Sequence, residues 1–103
     1  MKKEHILCSA IWFQNGKKYD HQPKNIETGF VVCGQRHHNC FQTVAIILNN
    51  DKLKSEHVIQ GFLTSQNHFV NRKEAAEIAV SANQVKRSEL HNEKIGLFSE
   101  DLW

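Results

Sequence analysis

Asn71-Arg72-Lys73-Glu74-Ala75-Ala76-Glu77-Ile78-Ala79 spells out a helix start. Asn71 offers a side-chain oxygen to the unpaired N–H groups of a first turn. Glu74 stands where its carboxylate can return the bond, the arrangement of a capping box. Ala75, Ile78, Ala79 and Ala82 then share one face, whose small side chains let a helix approach its neighbour closely. Asn83-Gln84 closes the helix.

The pattern changes period on the upstream side. His57-Val58-Ile59-Gln60-Gly61-Phe62-Leu63-Thr64 reads as a strand, and Ser65-Gln66-Asn67 as the turn after it. Gly29-Phe30-Val31-Val32-Cys33 is a second strand stopped by Gly34, and Ile6 to Phe13 a third. Asn15-Gly16, just beyond Phe13, is a strong signal for a tight hairpin turn. The polar stretch from Lys17 to Thr28, around the lone Pro23, is a loop or a short edge strand followed by one. Between the strands, Phe41, Val44, Ala45 and Leu48 fall at helical spacing, with Ile46 and Ile47 widening the stripe. They predict a buried helix that opens near Asn39 as N-cap and ends at Asn49-Asn50-Asp51. Downstream, residues 85–94 are mostly charged and polar, but the last nine carry Phe98, Leu102 and Trp103. Such a tail is expected to dock on the body. The sum is an α+β fold: one small domain over residues 1–103, an antiparallel sheet of about three to four strands, and two main helices.

Composition agrees with a folded domain of this kind. The chain has 103 residues, 40% of them hydrophobic, with one proline, so one core is the natural partition. Its apolar run near the amino terminus is too short to span a bilayer and alternates like a strand, so a cytoplasmic protein with no membrane association is expected. Cys8, Cys33 and Cys40 are odd in number and irregular in spacing, which fits reduced thiols better than a disulfide framework. Net charge is +2, but residues 1–54 hold eight basic and four acidic side chains (net +4) and residues 55–103 hold five and seven (net −2). That imbalance suits a small anionic ligand. It falls short of the dense basic stripe that polymeric nucleic acid requires.

Two constellations could carry chemistry. Arg36-His37-His38-Asn39-Cys40, with Cys33 upstream, contains residue types that bind zinc, but it lacks a CxxC pair or a second knuckle; no metal or cofactor is assigned. The same cluster beside a helix amino terminus can take a phosphate or carboxylate, with Arg36 as a bidentate donor and His37 and His38 as polar, titratable contacts. The bland alternative leaves both histidines as ordinary loop residues. Arg72 is the second feature, because the helix dipole disfavours a cation in a first turn. It either meets a ligand or pairs with Glu100 or Asp101 of the docked tail. Asn71 adds a polar contact, and Phe69, if exposed, a stacking surface. The leading expectation is a homo-oligomeric binding module that holds an anionic, nucleotide-type ligand with Arg36, His37, His38, Phe69, Asn71 and Arg72. The alternatives are a small hydrolase with His37 as general base and Glu100 or Asp101 as its partner, or a protein-interaction inhibitor. A Nudix-like reading of residues 61–84 fails for want of the paired glutamate ligands. A Cys–His nucleophile pair lacks an orienting acid.

Arg36-His37-His38-Asn39-Cys40, Gln60-Gly61-Phe62, Phe69-Val70-Asn71-Arg72-Lys73-Glu74-Ala75-Ala76-Glu77-Ile78-Ala79 and the closing Leu97-Phe98-Ser99-Glu100-Asp101-Leu102-Trp103 together resemble a family of small, largely uncharacterised bacterial and phage proteins. The resemblance covers about two thirds of the chain and brings no catalytic residues with it. By analogy alone, its phage association implies an anti-defence protein that sequesters a nucleotide signal.

Overall fold

The computed structural model describes residues 3–47 and 58–103. Its order is β1 (Ile6–Phe13), β2 (Phe30–Gly34), α1 (His37–Ile47), β3 (Val58–Thr64), β4 (Phe69–Asn71) and α2 (Arg72–Ser81), with single 3-10 turns at Arg87–Glu89 and Ser99–Asp101. The strands form one antiparallel sheet in the order β2-β1-β3-β4, so the fold is α+β.

Strand alternation sorts the side chains onto two faces. Ile11, Val32 and Phe62 point to the helical face, where both helices pack. Under α2, Phe62, Val70 and Leu97 meet Ala75 and Ala79 of the predicted small face together with Ala76, while Ile78 of that face is only partly buried. Under α1, Ile11 and Val32 close on Cys40, with Phe30, Phe41 and Val58 around them. The other face carries Cys8, Ala10 and Trp12 of β1, Ile59, Gly61 and Leu63 of β3, and Phe69 and Asn71 of β4.

The α2 capping box forms as the sequence dictates. Asn71 Oδ1 accepts the Glu74 N–H at 2.8 Å, and Glu74 Oε1 accepts the Asn71 N–H at 3.1 Å. The helix stops where expected, with Asn83 in the left-handed region at φ 60°. Gln84 beyond it then holds both backbone groups of Ile6, accepting its N–H at 2.7 Å and donating to its carbonyl at 2.8 Å.

Three expectations change. First, α1 opens at His37, two residues before the expected cap, and Asn39 instead accepts the backbone N–H of Arg36 at 3.2 Å. Asn39 does lock the first turn, but from inside it. The predicted stop at Asn49-Asn50-Asp51 lies outside the described residues. Second, Asn15-Gly16 does not close a two-residue hairpin; Gly16 bends at φ 75°, yet β1 reaches β2 only after residues 14–29. That connection is no edge strand. It is pinned by Gly29 N–H to Lys17 O at 2.7 Å and by the Trp12 indole to Thr28 O at 2.9 Å. Two of its side-chain amides also cover opposite edges of the sheet. Gln22 Oε1 accepts the Val31 N–H of β2 at 2.9 Å, while Asn25 holds both backbone groups of Phe69 on β4, at 2.8 and 2.6 Å. Each amide occupies backbone groups that an added strand would otherwise use. Third, Phe69–Asn71, read as a helix approach, is a fourth strand.

Candidate functional site

The residues singled out by sequence fall in two places on opposite faces of the sheet. Arg36, His37 and Arg72 gather on the helical side, where the tail docks. Phe69 and Asn71 lie on the other side. His38 is exposed on α1.

On the helical side, Arg72 is the tail's anchor. Its carbonyl accepts the Leu97 N–H at 2.9 Å, while its guanidinium donates to the Leu97 carbonyl at 2.8 Å, so one residue takes both backbone groups of another. The second arm of the fork donates to Gln60 Oε1 at 2.7 Å, and the guanidinium lies 4.6 Å from the centre of the Phe98 ring. Gly96 permits this approach. It sits at φ 119°, and a Cβ there would fall 2.3 Å from the Arg72 carbonyl oxygen. The sequence leaves Arg72 between a ligand and a tail carboxylate. The grip is instead on tail backbone and ring, with Glu100 and Asp101 acting on it through space.

Arg36 reaches the same tail. Its Nη2 donates to the main-chain oxygen of Trp103 at 3.2 Å and lies 3.8 Å from Glu100 Oε1. Its Nε is buried and lacks a hydrogen-bond partner among the described residues. His37 is 8% exposed, its ring edge-on to Phe62 at 5.0 Å. Its Nε2 sits 2.8 Å from the Gly61 carbonyl, which can only accept, so that nitrogen carries the proton. Burial lowers its pKa below the ordinary histidine value, the bond to Gly61 opposes this, and the charge on Arg72 adds to it. A ring committed to backbone in the core is poorly placed to serve as a general base. Cys33 and Cys40 lie on different faces, Cys33 exposed and Cys40 buried with its thiol 3.6 Å from the Ser9 carbonyl. No group of three or more His, Cys, Asp or Glu side chains suited to a metal occurs among the described residues.

The other face holds a recess. Trp12 and Phe69 meet edge to face at 6.0 Å and, with Ile59 and Ile26, line a hollow of about 250 Å³. Asn25, Asn71 and Glu74 complete it with polar groups. Five of the seven lining side chains are held by identified contacts. Phe69 packs against Gly61, where a Cβ would lie 2.7 Å from the ring and 2.2 Å from the Val70 carbonyl. Trp12 is oriented by its bond to Thr28, Asn25 by its paired bonds to Phe69, and Asn71 and Glu74 by the capping box. Glu74 spends Oε1 on that box, and no hydrogen bond to its Oε2 is seen among the described residues. Ile26 is shared with a wider basin of about 650 Å³ whose wall includes Lys18, His21 and Lys24 beside Asp20 and Glu27.

A family model described as the phage T4 y16D protein matches residues 5–103, nearly the whole chain. The chain belongs to that family. Neither the curated proteins nor the solved structures yield a match. The matched span includes both the tail anchor and the recess, so y16D membership covers either surface without choosing between them.

Of the recess, only Phe69 and Asn71 were singled out from sequence. Trp12, Asn25, Ile59 and Glu74 were passed over. A signal existed for Trp12, because strict alternation from Cys8 through Ala10 places it opposite Ile11. None existed for Asn25, which arrives from a connection whose path is set by tertiary hydrogen bonds.

Proposed function

We propose that this y16D-family protein is a binding module for a small nucleotide-type ligand, whose base enters the Trp12–Phe69 recess and whose phosphate lies over the Lys18–Lys24 basin. The observation that carries this reading is the recess itself: an apolar, aromatic hollow held open by rigid neighbours and edged by two amides and a carboxylate. A heteroaromatic ring needs that combination, apolar walls for its faces and a few fixed polar groups for its edge. Its size suits one ring system and is small for a whole nucleotide. The adjoining basin supplies Lys18, Lys24 and His21 for the anionic part.

The reading moves the site away from Arg36, His37 and Arg72. Those side chains are occupied with the tail and the core, and their displacement would leave buried groups unpaired. Within the recess itself Glu74 is the titratable side chain of the lining, and Asp20, His21 and Glu27 belong to the adjoining basin. Sequestration of a nucleotide signal by a phage protein fits such a module.

Calorimetric titration with the four ribonucleoside 5′-monophosphates, with inorganic phosphate as control, tests the proposal. Binding of at least one nucleotide, recovered intact, is expected. Ile59→Trp, which fills the recess from a position already 36% exposed, should abolish it without unfolding the protein. Binding that survives Ile59→Trp, or no binding at all, rejects the recess as the site.

A further inference from the structure

Cys8 and Cys33 lie outside both surfaces described so far. Ala10 of β1 is paired with Cys33 of β2, so Cys8, two residues back on the same face, is the diagonal neighbour of Cys33. The two side chains therefore face the same side of the sheet as neighbours across the strand pair. The last paired position of the ladder is Ser9 with Gly34, and the register of β1 against β3 shifts between Ile6 and Cys8. Cys8 therefore stands one position past the end of the β1–β2 ladder, while it still pairs with Leu63 of β3. Cys33 is exposed and Cys8 half-buried. Cys40 is buried on the opposite face, its thiol directed at the Ser9 and Arg36 carbonyls, each at 3.6 Å.

We infer that Cys8 and Cys33 form a surface dithiol that a low-molecular-weight disulfide such as oxidised glutathione converts into a cross-strand disulfide. The proton shared with Cys33 holds the Cys8 thiol below its ordinary pKa and raises that of Cys33, which makes Cys8 the attacking sulfur. Cys8 thiolate attacks the small disulfide, forming a mixed disulfide and releasing one thiolate. Cys33 then gives up its proton and attacks the Cys8 sulfur, forming the Cys8–Cys33 bond and releasing the second thiolate. The protein loses two electrons and two thiol protons, and the small disulfide becomes two thiols. The ladder between β1 and β2 is already tied at its other end by the connection 14–29, so the bond would close its open end.

The test is intact-mass and peptide mapping of the reduced, folded protein after exposure to oxidised glutathione and alkylation of the remaining thiols. The expected product has lost the mass of two hydrogens, contains a Cys8–Cys33 cross-linked peptide and carries one alkylated cysteine, Cys40. Cys33→Ser should trap glutathione on Cys8. Stable glutathione adducts on the unsubstituted chain, pairing through Cys40, intermolecular dimers or an unchanged mass would each overturn the inference.

Discussion

Replacing Arg72 with alanine removes the side chain that fastens the tail, and the structure sets the size of the effect. The guanidinium makes two charge-assisted hydrogen bonds, to the Leu97 carbonyl at 2.8 Å and to Gln60 Oε1 at 2.7 Å. Bonds of that kind contribute about 1.5–3 kcal/mol each. The cation over Phe98 adds on the order of 1 kcal/mol. These terms share one side chain, and water can reach Gln60, so they do not sum in full; a net loss of about 3 kcal/mol is expected. A domain of this length has a total stability of roughly 5–15 kcal/mol, so the variant should still fold. In urea, with a slope near 1.5 kcal/mol/M, its midpoint should fall by about 2 M. Arg72→Lys keeps the charge but not the fork and should recover only part of this loss. Trp103, packed against the α2 core with the tail, supplies a fluorescence signal for undocking. A loss below about 1 kcal/mol would refute the anchor role. A collapse of nucleotide affinity in the folded variant, with stability intact, would return Arg72 to a ligand site.

Asn71→Ala deletes one half of the capping box and should cost about 1 kcal/mol in urea unfolding; it should also weaken any nucleotide bound in the recess. Gly61→Ala places a Cβ 2.2 Å from the Val70 carbonyl, so circular-dichroism melting should show a loss of at least ~1–3 kcal/mol, the usual cost of overpacking, and an unchanged melt would mean that Phe69 does not sit on Gly61. Tail docking should also depend on pH through His91 and Asp101, which are hydrogen-bonded to each other. The bond and charge of Asp101 raise His91 above its ordinary 6.5, so this contribution is complete below pH 6.5 and disappears as pH climbs through the raised value. Burial alone would raise Asp101, but the bonds from His91 and the Phe98 N–H outweigh it and leave the carboxyl below 3.8; its contribution is complete above pH 3.8 and lost as pH falls through the lowered value. Tail-sensitive Trp103 fluorescence should therefore hold steady between these limits, and His91→Gln should remove only the alkaline limb.

Local rules explain which parts of this protein could be read from its sequence. The α2 start was legible because the capping box is a contact between residues three apart, and the small-residue face because helical period is a local property. The docked tail was legible from Phe98, Leu102 and Trp103, which water would not accommodate together. Three strands showed in their composition. Phe69–Asn71 is too short to show a period, and it is a strand only because Phe62 and Leu63 stand beside it. Asn15-Gly16 misled because a turn dipeptide specifies a bend, whereas the length of the connection depends on where Gln22 and Asn25 find partners. Arg72 was rightly singled out as a cation set against its helix dipole, but sequence could not show that its partner was a backbone carbonyl. The two halves of the expected site parted for a simple reason: Phe69 and Asn71, two apart on β4, share one face of the sheet, whereas Arg72 opens α2 and reaches Gln60 and Leu97 on the other.

The sharpest test of the recess is a two-dimensional NMR titration of the full chain with adenosine and guanosine 5′-monophosphate. The account predicts shifts at the Trp12 indole N–H, the Asn25 side-chain amide and the backbone amides of Lys24, Ile59 and Phe69, with the Arg36 guanidinium and Trp103 indole signals unmoved. Shifts centred on Arg36, His38 and Trp103, with the Trp12 indole unchanged, would contradict it.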